Sequence, residues 1–136
     1  MNHTRGQMSM PKSFGLGILG CVAVALGGCA PLAVVGAAVV VNDEFMDHAK
    51  FDIVKQDVDY VWASVKSTMA HMTTDLLQVD EDMRALQTYV DNALVTVQVE
   101  RYDLGETSIR TAAKKLLVYN DDIATMVQDR IASDLR

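Results

Sequence analysis

Apolar and polar positions follow three regimes along the chain. Residues 14–41 carry no charge, and 21 of these 28 are apolar. Past residue 42 the pattern becomes periodic. Ala49-Lys50-Phe51-Asp52-Ile53 alternates and predicts a half-buried strand. Val58, Val61, Trp62, Val65, Met69 and Met72 then recur at helical spacing, which predicts a helix from about Val58 to Met72. Asp57 suits its N-cap, and Asp59 the positive end of its dipole. After Thr73-Thr74 the period switches to two. Residues 76–80 read as a strand ending in the acidic turn Glu81-Asp82, and residues 84–90 as a second. Asp91-Asn92 is a two-residue hairpin turn, because both side chains tolerate positive φ.

Residues 94–101 form the clearest strand, with Val95, Val97 and Val99 on one face and Thr96, Gln98 and Glu100 on the other. Asp103-Leu104-Gly105-Glu106 predicts the next turn and residues 107–112 the next strand. Residues 114–119 fit either an extension of that strand or a loop. Asp121-Asp122 reads as the cap of a last helix, with Ile123, Met126, Val127, Ile131 and Leu135 along one stripe. The order β-α-β-β-β-β-α predicts an α+β fold. It is a two-layer sandwich of an antiparallel sheet of four to five strands with both helices on one face, preceded by the apolar segment. Trp62 and the methionines belong between the layers.

The first forty residues give an address. Residues 1–13 carry Arg5 and Lys12 and no acid, with Met8 and Met10 as alternative starts. An apolar run from Phe14 to Leu26 follows, then small residues, which is the layout of a secretory signal peptide. Leu26-Gly27-Gly28-Cys29 resembles the lipobox of bacterial lipoproteins: an aliphatic residue, two small residues, then Cys. That resemblance implies peptidase recognition of Leu26, Gly27 and Gly28, and acylation of Cys29. Ile18-Leu19-Gly20-Cys21 has a similar form, but it leaves an apolar core of seven residues from Phe14, too short for a signal. An uncleaved anchor is the alternative, since residues 13–42 are uncharged and about 20 apolar residues span a bilayer. Cleavage leaves residues 29–44 as a lipidated apolar tether, which lies at the interface or packs on the domain of residues 45–136. Ala30 after the cysteine, by resemblance to the sorting rule of enteric bacteria, points to the periplasmic face of the outer membrane.

Charge narrows the function further. The chain has 12 Lys or Arg against 18 Asp or Glu, a net −6, and every acid lies past residue 42. Removing Arg5 and Lys12 with the signal leaves 10 bases against 18 acids, or −8. An acidic domain without a basic face is a poor nucleic-acid binder. Both cysteines, Cys21 and Cys29, fall in the apolar segment, so the domain has neither a disulfide nor a thiolate metal site.

From the lipobox onward the chain resembles a family of small bacterial lipoproteins of unknown function. The matching features are a strand leading into Val61-Trp62-Ala63, the Val95/Val97/Val99 strand, Ser108-Ile109-Arg110 and the helix from Ile123 to Ile131. The resemblance implies fold and location and carries no activity with it.

Candidate chemistry is sparse. His48 beside Asp47, and His71 near a helix end, fall short of a metal-ligand spacing. Asp80-Glu81-Asp82 lacks the spaced acid-plus-glycine loop of an EF-hand and reads as a solvated turn. Trp62 falls on the apolar stripe of its helix and reads as core. Lys114-Lys115 is the domain's one basic pair, too small for an acidic-lipid cluster by itself. There is no G-x-S-x-G elbow and no glycine-rich phosphate loop. The expectation is a non-enzymatic lipoprotein without a cofactor, bound to a membrane through Cys29. Its sheet face or edge strands are offered to an envelope protein or glycan. The competing expectation is a carrier of a small apolar ligand held between helices and sheet.

Overall fold

The computed structural model describes residues 34–36 and 39–136. The elements are β1 (Val34–Gly36), α1 (Asp43–His48), β2 (Lys50–Val54), α2 (Val58–Met72), β3 (Leu77–Asp80), β4 (Ala85–Val90), β5 (Ala93–Asp103), β6 (Glu106–Lys115), β7 (Val118–Tyr119) and α3 (Asp121–Asp134). They form an α+β fold around one sheet of order β1-β3-β4-β5-β6-β2, with β7 also paired to β6. Strands β2 to β7 pair antiparallel, and β1 joins the edge of β3 in parallel.

Helix α2 has the bounds its periodicity predicts. The Asp57 carboxylate accepts from the Asp59 N–H at 2.9 Å, satisfying one of the unpaired donors of the first turn. At the far end Thr73 turns extended, and its hydroxyl donates to the Tyr89 carbonyl at 2.7 Å, tying the helix to the β4–β5 hairpin. Helix α3 corrects one expectation. Its N-cap is Asn120, whose Oδ1 accepts from the Ile123 N–H at 3.0 Å, and Asp121-Asp122 occupy the first turn. There the carboxylates still meet the positive end of the dipole.

Both long helices pack on the sheet face of Val95, Val97 and Val99. Register carries that face across the sheet: Val97 stands opposite Leu86 and Thr111, and Val99 opposite Ile109. Met69, Val61, Val65, Leu86, Ile109, Val127 and Ile131 are fully buried between the layers, with Trp62 among them. The Thr68 hydroxyl donates to Asp134 at 2.8 Å and joins the two helices, while Gln56 donates to the Leu135 carbonyl at 2.7 Å.

Three features depart from the expected order. Val34–Gly36, inside the expected tether, form β1 and join the sheet edge as an added strand. Residues 43–48 form α1, a short helix on the second face of the sheet, spanning the expected domain boundary at residue 45. Asn42 caps α1 by accepting from the Phe45 N–H at 2.9 Å, and Phe45 is buried. Residues 114–119 are neither plain strand nor loop but the tip of a β6–β7 hairpin, with Lys114 opposite Tyr119. The sheet therefore exceeds the four to five strands expected.

Candidate functional site

The second face of the sheet alternates with the core face and is polar with aromatic residues. Strand β5 contributes Leu94, Thr96, Gln98, Glu100 and Tyr102. Pairing places Ser108 opposite Glu100, Arg110 opposite Gln98, Ala112 opposite Thr96 and Lys114 opposite Leu94. Strand β2 adds Phe51, opposite Arg110.

Around Arg110 these residues form one connected group. Its guanidinium donates to Glu100 Oε2 and lies 5.1 Å from the centroid of the Phe51 ring, a cation–π contact. Tyr102 meets Phe51 edge-on, centroids 6.2 Å apart at 63°. Gln98 donates to the other Glu100 oxygen at 3.2 Å, and its own buried Oε1 has no partner among the described residues. Phe51 and Tyr102 are 50 % and 58 % exposed, so two rings face solvent beside a fixed ion pair. Such a group offers flat apolar surface, a directional cation and a carboxylate within one patch.

A second cluster lies where α1 crosses the same face. Lys114 donates to Glu44 at 2.8 Å and sits 4.8 Å from the Tyr119 ring, on which His48 stacks at 4.1 Å. The hydrogen bond from Lys114 holds the Glu44 carboxyl below its ordinary value, and the same bond raises Lys114. Lys50 likewise lowers Asp121 through a 2.9 Å hydrogen bond. A cavity of about 180 Å³ lies between Asn42, Phe45, Thr96, Ala112 and Tyr119.

The sequence-level candidates fall in separate places. Trp62 is core, and its indole N–H donates to Glu81 Oε2 at 2.6 Å. Lys66 donates to the other Glu81 oxygen at 2.7 Å, and these two bonds, the Lys66 one foremost, lower the Glu81 pKa. Asp80 accepts from the Asp82 and Met83 N–H groups and closes the acidic turn. His71 bonds through Nδ1 to the Ser67 carbonyl at 2.6 Å. No group of three or more His, Cys, Asp or Glu among the described residues is arranged to hold a metal. Trp62, Met69, Leu86, Ile109 and Ile131 fill the helix–sheet space. Cys29, Leu26, Gly27 and Gly28 lie outside the described residues, and no described helix is long and apolar enough to cross a membrane.

Of the Arg110 group, Gln98 and Glu100 are marked in the sequence by their place on the polar face of β5, Phe51 by the alternation of residues 49–53, and Arg110 through the resemblance. Phe51, Tyr102 and Arg110 sit on three strands, and only register brings them together. The chain matches no protein-family model, no curated protein and no solved structure.

Proposed function

We propose that the protein is a membrane-anchored lipoprotein of a bacterial envelope whose domain is a non-catalytic binding module. Export removes residues 1–28, Cys29 takes the acyl chains, and the domain stands at the membrane surface. The observation that carries this reading is Leu26-Gly27-Gly28-Cys29, placed at the end of an uncharged apolar core behind Arg5 and Lys12. Acyl chains supply the anchoring energy, at about 0.8 kcal/mol for each buried methylene, and more than one chain makes attachment stable. The resemblance to a family of small bacterial lipoproteins supports the same address, and Ala30 favours the outer membrane. The anchored domain then presents Phe51, Tyr102, Arg110 and Glu100 to an envelope protein or glycan.

Metabolic labelling with a palmitate analogue tests the anchor. The wild-type chain should take the label, and Cys29→Ser should not. Absence of label from the wild type, or equal labelling of the variant, ends the reading. An intact mass that retains residues 1–28 would identify an uncleaved signal anchor instead. For the module, affinity capture from membranes through a C-terminal tag should recover a partner that Phe51→Ala and Arg110→Ala lose. Identical recovery by both variants moves the binding face elsewhere.

A further inference from the structure

The β6–β7 hairpin turns through Leu116 and Leu117, at φ 50° and 68°. Two-residue turns with both centres at positive φ favour Asn, Asp and Gly, because a Cβ crowds the left-handed backbone. The β4–β5 hairpin obeys this with Asp91 and Asn92 at φ 51° and 61°. The β6–β7 hairpin puts two leucines in the same backbone, 91 % and 88 % exposed, followed by exposed Val118. Backbone preference and the hydrophobic effect both disfavour this arrangement in water.

Topology says what stands near these leucines. Val34 of β1 lies opposite Leu77 of β3. Following the register through β4 and β5 to β6 brings Val34 and Lys114–Val118 to one end of the sheet. Cys29 precedes Val34 by five residues, a reach of at most about 17 Å. From β1 to β6 there are four strand spacings, roughly 19 Å in all. The chain therefore enters β1 at the end of the sheet that carries the tip, and Cys29 lies five residues upstream of that entry. Exposed Lys115 adjoins the leucines, a cation suited to headgroup phosphates. At the far end Leu104 is 98 % exposed, but Asp103 and Glu106 flank its turn.

We propose that the Leu116–Leu117 hairpin inserts into the same bilayer that receives the Cys29 acyl chains, as a second point of attachment. This rests on the lipoprotein reading. Anchor and tip together hold the strands pointing away from the membrane, so that the Tyr102 end of the sheet faces the aqueous compartment.

The test uses the acylated full-length product carrying Leu117→Cys, since Cys29 is blocked by lipid and Cys21 leaves with the signal. A thiol-reactive, environment-sensitive fluorophore at 117 is read in vesicles of phosphatidylethanolamine and phosphatidylglycerol, with Leu104→Cys as the comparison. The label at 117 should shift to the blue and be quenched by lipids brominated below the headgroups, while the label at 104 should do neither. As a label-free measurement, amide exchange of the turn residues 116 and 117 in the unmodified protein should slow on vesicles relative to Cys29→Ser in buffer. A water-exposed label at 117 on a protein whose mass shows acylation overturns the inference and leaves the lipoprotein reading intact. Protection of residues 116 and 117 already present in buffer, as from a second copy, also overturns it. An unacylated mass overturns both.

Discussion

The buried indole of Trp62 donates its N–H to the Glu81 carboxylate at 2.6 Å, joining the middle of the core to an exposed acidic turn. The same carboxylate accepts from Lys66, whose ammonium lies 5.0 Å from the indole centroid. Glu81 thus closes the end of the helix–sheet interface with one charge shared by two donors.

Removing that acceptor leaves a buried donor unpaired, at a cost of about 1–3 kcal/mol. Glu81→Ala should lower stability by that amount in chemical denaturation. Glu81→Gln keeps an oxygen for the indole and should cost less. Equal losses for the two variants would mean that the Trp62 bond contributes nothing.

Acid should weaken the fold through lowered carboxyls. Glu81, Glu44 and Asp121 titrate below their ordinary values because Lys66, Lys114 and Lys50 hydrogen-bond their charged forms. A carboxyl whose pKa is depressed by folding adds stability above its unfolded value and loses it as the pH falls through the folded one. Lys114 runs the opposite way: its raised pKa adds stability below its ordinary value, lost as the pH rises through the raised one. Thermal melts of the wild type should fall on acidification below the ordinary carboxyl range, and Glu81→Gln should fall less steeply. Parallel curves would remove Glu81 from the account.

Burial sets a strong contrast between two aliphatic residues. Ile109 is fully buried under both helices, whereas Leu104 projects from the β5–β6 turn. Ile109→Ala should cost about 2–5 kcal/mol, the transfer loss plus a cavity. Leu104→Ala should stay within about 0.5 kcal/mol of wild type. Denaturant midpoints at constant slope distinguish the two.

The Leu116–Leu117 turn predicts a gain. Replacing both residues by Asn-Gly fits the positive φ values, so the domain should become more stable in water by about 1–2 kcal/mol. A loss of stability would show that the leucines pack on the fold in water.

Much of the architecture is legible in the chain. Helix α2 is bounded by an Asp57 cap and a 3.6-residue stripe, and the alternation Val95/Val97/Val99 separates the two faces of β5 before any partner is known. Local pattern suffices there because burial imposes its period on one continuous segment. It does not suffice at residues 114–119, where two leucines form a turn without any turn residue, and the pairing of Lys114 with Tyr119 decides the geometry. Nor does it suffice at Asn120, which takes the cap expected of Asp121 because the helix begins at the residue whose oxygen reaches the Ile123 N–H.

By itself the sequence determined an uncharged apolar segment over residues 14–41, an acidic α+β domain and the inward face of each long element. Tertiary structure alone decided that residues 34–36 supply β1 and that Phe51, Tyr102, Arg110 and Glu100 meet. It also decided that Leu116-Leu117 stands at the end of the sheet where β1 begins. Periodicity is a property of one segment folding against an average core, whereas edge pairing, register and shared ends depend on which segments become neighbours.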